Sequence, residues 1–316
     1  MAPTRQGSLK LFRLAGIQVY LHWSWFLVAF YMIKTRARTY SSIEWNVFEY
    51  VGLFAIVLMH EFGHSLACRQ VGGQADQIVL WPLGGVAYVA PPQRPGAMLW
   101  SIAAGPLVNV VLTPILGGLY YWGRNHGWAY SAPDSFKLLE NVAIMNVLLL
   151  TFNLLPVYPL DGGQIFRSLL WYVIGRSKSL MVASLVGFVG VAGFLFYAFS
   201  QQSTWLGILG IFLGINCWRG FQHARSLARL DKLPRHRGFA CPSCQVAPVQ
   251  GPYWVCAQCQ QPFDMVANLA QCPHCAAHYP AVPCLECGSS KPLDQWILPS
   301  ATPVEPIGVP PVIRPN

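Results

Sequence analysis

The sequence predicts a mainly α-helical, polytopic membrane protein with a small β-hairpin and a separate, small cysteine-rich domain. Three observations predict it. Of 316 residues, 54% are hydrophobic and only 10% are charged, and the mean hydropathy is +0.39. The apolar residues gather in blocks that approach or exceed the roughly 20 needed to cross a bilayer core as a helix; an apolar secreted β-protein would not group them so. Eight of the ten cysteines stand in C-x-x-C pairs beyond the last apolar block.

Taken in order, the blocks predict about six transmembrane helices, at 17–33, 46–68, 97–122, 138–159, 179–199 and 204–218, within a membrane domain of residues 1–218. The first block lacks a small-residue cleavage site and reads as a retained anchor. Residues 77–90 are β-rich around Pro82 and Gly84-Gly85, which predicts an apolar hairpin. Residues 153–163 pack Pro156, Pro159, Asp161, Gly162 and Gly163 into an apolar stretch, so the fourth span must break there. Broken backbone at membrane depth needs protein or a water-filled cavity to receive its polar groups.

Charge placement orients the chain. An even number of spans puts both termini on one side. Basic residues before the first span, at 167–178 and after the sixth span place that side in the cytosol. Lys34, Arg36 and Arg38 are the exceptions, on the outer side. Residues 219–238 carry Arg219, Arg225, Arg229, Lys232, Arg235 and Arg237 against Asp231, a net +5 suited to anionic lipid headgroups. The formal net charge of +9 is thus a membrane feature. Residues 239–316 hold two basic and four acidic side chains, a poor match for phosphate, so no nucleic acid is expected. The protein is expected in the cell's inner or plasma membrane.

The cysteine pairs are Cys241/Cys244, Cys256/Cys259, Cys272/Cys275 and Cys284/Cys287, separated by 11, 12 and 8 residues. Two such knuckles make one closed tetrahedral zinc site, so eight thiolates predict two structural zincs in residues 239–288. Sequential pairing would give a double zinc ribbon; interleaving is the alternative. Thiolate sites need reducing surroundings, which again places this domain in the cytosol. So short a domain is expected to lack a core and to depend on zinc to fold. Residues 289–316 carry seven prolines and are expected to be a disordered tail.

Chemistry concentrates in the second and fourth spans. His60-Glu61-Phe62-Gly63-His64 follows the H-E-x-x-H pattern, which on a helix sets two imidazoles one turn apart on one face. Glu61 can reach a metal-activated water without itself binding the ion. An acid within Val-Gly-Leu-Phe-Ala-Ile-Val-Leu-Met-His-Glu is costly unless it has a task. A catalytic zinc needs a third ligand and an open position. Between Asn141 and Gly175 the only charged side chains are Asp161 and Arg167, and Asp161 sits at the break. The competing reading makes Asp161 a helix N-cap. Glu49, Asp134 and Glu140 are weaker candidates near span ends. Asn153 is the candidate oxyanion donor, or else a helix–helix hydrogen-bonding residue. Asn109 and Asn146 read as interhelical glue, His22 as an interface anchor, and Cys68 and Cys217 as packing residues.

These motifs carry a resemblance. His60-Glu61-Phe62-Gly63-His64, taken with Asn153-x-x-Pro156-x-x-Pro159-Leu160-Asp161-Gly162, resembles the site-2 protease family of intramembrane zinc metalloproteases. Ala104-Gly105-Pro106-Leu107-Val108-Asn109 and Pro82-Leu83-Gly84-Gly85 are similar to its accessory motifs. The similarity covers roughly residues 15–218, leaves no room for an inserted PDZ domain, and excludes the cysteines. It implies a zinc metalloendopeptidase acting on single-span membrane proteins, with His60, His64 and Asp161 on zinc, Glu61 as base and Asn153 at the oxyanion. The 77–90 hairpin then offers a sheet edge to an unwound substrate, or merely plugs the site. A catalytically silent adaptor, whose ribbons recruit a cytosolic protein, is the alternative. Glu61 argues against it, since an adaptor needs no base. A metal transporter fits a His₂Asp site with an adjoining Glu less well than hydrolysis does.

Overall fold

Alternation, not a hydrophobic block, governs the N-terminus. A computed structural model describes residues 7–36, 38–81 and 84–298, the side chains of 84–87 excepted. Ser8–Leu14 (β1) and Ile17–His22 (β2) form an antiparallel hairpin across Ala15-Gly16. Ile17, Val19 and Leu21 share one face and are buried, the two-residue period of a strand. Helix begins only at Ser24 and ends at Thr35 (α1), 12 residues. That length gives about 18 Å, short of a hydrocarbon core of about 30 Å. The expected first span is therefore a strand followed by a short helix.

The chain continues through Ile43–Gln70 (α2), Gln74–Trp81 (β3), Gly84–Ala90 (β4), Pro95–Asn125 (α3), Trp128–Ser131 (α4), Pro133–Leu154 (α5), Asp161–Ile174 (α6), Arg176–Ser200 (α7) and Thr204–Leu230 (α8). Among the described residues four helices, α2, α3, α5 and α7, are long and apolar enough to cross a membrane. The expected sixth span lies within α8, which runs on through Arg219, Arg225 and Arg229.

One four-stranded sheet, in the order β1-β2-β3-β4, absorbs the expected hairpin as β3–β4. Pro82 and Leu83, from one of the accessory motifs, lie outside the described residues. β2 and β3 are parallel, with Val19 opposite Ile78 and Leu21 opposite Leu80. Their inner face packs with Trp25 and Val57 into a core that includes α2. His22 is not a surface anchor: it is buried, stacked on Trp81 at 3.8 Å, with Nδ1 2.5 Å from Ser24 Oγ. Glu49 is not solvated either. It is 1% exposed, accepts from Tyr40 and Asn141 and pairs with Arg36 at 2.9 Å.

The break at 155–160 comes between α5 and α6, as expected. Its return depends on Gly162 and Gly163, where an added Cβ would fall 2.2 Å from Leu154 O and 2.5 Å from Tyr158 N. Only glycine lets the loop fold back onto the first turn of α6.

The chain divides into units at Ser226/Leu227, and the second is built differently. It has two short hairpins, Trp254–Val255 (β5) with Pro262–Phe263 (β6), and Val282–Pro283 (β7) with Ser290–Lys291 (β8). Contrary to expectation it has an apolar core, in which Trp254, Phe263, Val266, Val282 and Trp296 are all buried around the cysteines. Residues 289–298, expected in the tail, belong to this core: β8 and a 3₁₀ turn at Leu293–Trp296 carry Trp296 to 1% exposure. The remainder of the tail, 299–316, lies outside the described residues.

Candidate metal centre

α2, α3 and α6 bring the chemistry together. His60 and His64, one turn apart on α2, have Nε2 atoms 3.1 Å from each other. Asp161 opens α6, and its Oδ2 lies 3.1 Å from His60 Nε2 and 3.3 Å from His64 Nε2. The N-cap of α6 is Leu160 and no side chain caps the helix, so Asp161 is the first helical residue rather than the cap, and its carboxylate faces the histidines. Both imidazoles are buried and the Asp161 side chain is only 14% exposed.

The far nitrogen of each imidazole is held. The carbonyl of Ser101, which can only accept, lies 2.9 Å from His64 Nδ1. That nitrogen carries the proton, so Nε2 presents a lone pair. His60 Nδ1 lies 2.7 Å from Asn109 Oδ1, while Asn109 donates through Nδ2 to Asn146 Oδ1 at 2.8 Å. With its amide hydrogens turned to Asn146, Asn109 offers His60 an oxygen, and His60 takes the same tautomer. Two lone pairs and a carboxylate oxygen therefore converge with no donor between them. Two imidazoles and one carboxylate, oriented from behind, fit zinc with a coordination position left for reaction. Gly105 keeps this face clear, since a Cβ there would fall 2.3 Å from His64 Nε2.

Glu61 is buried on α2 beside His60 at 6% exposure. Asn153 lies half-buried in the last turn of α5, and no side chain among the described residues hydrogen-bonds to it. Beside the break lies an apolar recess of about 310 Å³ lined by Phe152, Leu155, Val157, Gly190, Phe194 and Leu213. Asn109 and Asn146, read from sequence as glue, do join α3 to α5, and Asn109 also orients His60. The signal was present in Ala104-Gly105-Pro106-Leu107-Val108-Asn109, where one short segment supplies both Gly105 and the acceptor for His60. Cys68 and Cys217 are fully buried, as packing residues should be.

The cysteines of the second unit converge in two sets, and the pairing is nested rather than sequential or interleaved. Cys241, Cys244, Cys284 and Cys287 form one set, and Cys256, Cys259, Cys272 and Cys275 the other. Sulfur separations are 3.8 Å for Cys241–Cys287 and Cys244–Cys284, 3.5 Å for Cys256–Cys275 and 3.7 Å for Cys259–Cys272. Disulfides would need about 2.05 Å. Four sulfurs at a zinc–sulfur distance of about 2.3 Å define a tetrahedron with edges of about 3.8 Å. The donor sets fit zinc. Neighbouring thiols also oppose one another's ionisation: hydrogen bonds from Cys244 and Cys284 hold Cys241 down to about 6 while both donors are pushed up. A cation removes that conflict.

Comparison with known proteins agrees with this geometry. Residues 48–124 and 130–197 match the model of peptidase family M50. The chain is 32% identical to zinc metalloprotease MJ0392 of Methanocaldococcus jannaschii over 57% of its own length and 50% of that protein's. It is 26% identical to stage IV sporulation protein FB of Bacillus subtilis, over 59% of this chain and 63% of that one. It spans about half the length of the first of these relatives. Among solved structures, the site-2 protease from Methanocaldococcus jannaschii superposes with a TM-score of 0.50 at 26% identity, covering 68% of this chain and 95% of that one. The fold is similar to that of this site-2 protease. The similarity to peptidase family M50 is confined to residues 48–124 and 130–197.

Proposed function

We propose that the protein is an intramembrane zinc metalloprotease that hydrolyses peptide bonds of membrane-spanning proteins. One observation carries the reading: His60 Nε2, His64 Nε2 and Asp161 Oδ2 converge, with both Nδ1 atoms pinned, on a helix apolar enough to cross a membrane. Zinc bound there supplies a Lewis acid that makes water more acidic and a carbonyl more electrophilic. The remaining tasks fall to the chain. Glu61 takes the proton of the attacking water and delivers it to the leaving amine. Asn153 is the donor to the developing oxyanion, supported by its place one turn before the break that carries Asp161. Ser101 and Asn109 hold the imidazoles so that no reorientation is needed at the moment of reaction. β4 is the outer strand of its sheet, and an unwound substrate can pair along its free edge.

The substrates in this reading are single-span proteins. The basic residues support cytosolic termini. α8, with 27 residues, joins the four apolar helices as a fifth full span, and β2 with α1 makes the sixth crossing that keeps both termini on one side. Two structural zincs hold the second unit, whose acidic balance suits contact with a cytosolic protein. Cleavage of a candidate single-span protein by wild type and by Glu61→Ala tests the proposal. Glu61→Ala should keep its zinc and lose cleavage; equal processing by both would sink the protease reading and favour an adaptor.

A further inference from the structure

Nested pairing makes the two thiolate sets of the second unit unequal. The outer set joins cysteines 40 and 46 positions apart, and the inner set cysteines only 13 and 19 apart. An inner loop closed by its own set can open while the outer closure still holds the ends of the unit together. The sets also differ in access. Cys241, Cys244 and Cys284 are buried and Cys287 is half-buried. In the inner set Cys256 and Cys272 are buried, Cys259 is half-buried and Cys275 is exposed. No other cysteine among the described residues is exposed. The same thiol makes the shortest of the four sulfur contacts between pairs, 3.5 Å to Cys256. Tyr279 donates to Cys256 Sγ at 3.1 Å and accepts from the Ala257 N–H at 2.8 Å, which holds the buried sulfur beside its exposed neighbour. A donor stabilises the thiolate it serves and lowers its nucleophilicity, so attack falls to Cys275. Solvent access is the other requirement for a reactive thiol, and Cys275 meets it.

We propose that Cys275 and Cys256 form a reversible oxidation site for a hydroperoxide, with Cys275 attacking and Cys256 resolving. Cys275 Sγ attacks one peroxide oxygen; the O–O bond breaks, hydroxide or alkoxide leaves, and Cys275 becomes a sulfenic acid. Cys256 Sγ then attacks the Cys275 sulfur, the S–O bond breaks and a hydroxide leaves. Two thiolates thereby give two electrons to one hydroperoxide and become one disulfide, and both released anions take protons from water. The sulfurs close from 3.5 Å to about 2.05 Å. The inner set is left with Cys259 and Cys272, two donors where a closed zinc site needs four. The outer set keeps all four. Zinc binding by the thiolate sets is required; proteolysis is not.

The test uses the full, zinc-loaded chain in phosphatidylcholine nanodiscs, treated with hydrogen peroxide. A chromogenic chelator follows released zinc, and peptide mass mapping after alkylation identifies the oxidised cysteines. One ion per chain should be released in the first phase, together with a Cys256–Cys275 disulfide, while the outer thiols stay reduced. The catalytic ion has no thiolate donor and should not respond. Dithiothreitol with added zinc should restore the released ion. Cys275→His keeps a zinc-ligating side chain and removes the attacking sulfur, so the first phase should be lost. Cys287→His, at the most open position of the outer set, should leave that phase as in wild type. Should Cys275→His not retain its zinc, the mapping in wild type decides. Oxidation of the outer thiols first, or of both sets together, overturns the proposal. So does release without a Cys256–Cys275 bond, or release from Cys275→His at the wild-type rate. An inner set that holds no zinc before treatment, or that dithiothreitol and zinc fail to restore, overturns it too.

Discussion

Asn109 offers the most informative perturbation. Asn109→Ala removes two contacts at a fully buried position: the acceptor for His60 Nδ1–H at 2.7 Å and the donor to Asn146 Oδ1 at 2.8 Å. Asn146 Nδ2 keeps the Asn109 carbonyl at 3.1 Å and Thr113 Oγ1 at 3.0 Å, so only its oxygen is stranded. Each stranded group costs about 1–3 kcal/mol, so the fold should lose about 2–6 kcal/mol in all. The metal effect is separable. A histidine freed of its rear partner loses both tautomer and orientation, which typically weakens metal binding by roughly 10- to 100-fold, or about 1.4–2.7 kcal/mol. Asn146→Ala is the control, because it strands Asn109 Nδ2 while leaving the bond to His60 in place. Chelator competition followed by elemental analysis reads the catalytic zinc, and cleavage reads activity. Asn109→Ala should lose the catalytic zinc at lower chelator concentration, and Asn146→Ala should be destabilised yet hold it nearly as wild type does. If both variants weaken zinc equally, or neither does, Asn109 is helix packing and the orientation argument fails.

The other predictions concern the metals and acid stability. Asp161→Asn should lower the zinc content from three ions per chain to two with the fold intact; a third ion still bound at wild-type affinity would remove Asp161 from the ligand set. Serine at Cys241, Cys244, Cys284 and Cys287 together should lose one zinc, whereas serine at Cys241, Cys244, Cys256 and Cys259 should lose two. The reverse result would restore sequential pairing. Burial raises the Asp264 carboxyl, but the N–H groups of Ala267 and Gly251, and then His236, outweigh it and hold the acid below its usual range. The stabilisation is therefore present above the ordinary carboxylate pKa of about 3.9 and is lost as pH falls below it. Asp264→Asn should cost about 2 kcal/mol at neutral pH and flatten the acid limb of the melting curve; an unchanged limb would show that other groups control it.

Helices α2, α3, α5 and α7 were legible because a bilayer imposes one simple demand on a spanning segment, a long run of apolar residues. That demand also produced the error at the N-terminus. Hydrophobicity summed over Ile17–Ile33 registers a block, whereas the alternation Ile17, Val19, Leu21 within it registers a strand. Summation discards the phase that tells the two apart. The same loss of phase hid β1, whose Leu9, Leu11, Phe12 and Leu14 are exposed and so lack the one-sided burial that marks a strand within a core. His60 and His64 were legible because helical periodicity is local. Asp161 needed two local facts together, the only acid in a long apolar stretch and the break beside it.

What stayed hidden was set by contacts between elements. Asn109 reads the same in sequence whether it faces lipid, Asn146 or His60, and only the packing of α3 on α2 decides. Cysteine pairing shows why sequence proximity is a weak guide. Nesting joins Cys244 to Cys284 across 40 positions, where sequential pairing would join neighbours such as Cys244 and Cys256. Because loop-closure entropy grows only with the logarithm of length, the longer closure costs only about 1 kcal/mol more. A single buried tryptophan outweighs that. Trp254 donates to Pro283 O at 2.9 Å and packs with Val282 and Trp296, so the core itself draws the segment around the fourth pair back toward the first half of the unit. The cysteines then meet where the core has placed them, and a metal ion bound there would secure an arrangement that apolar packing has selected.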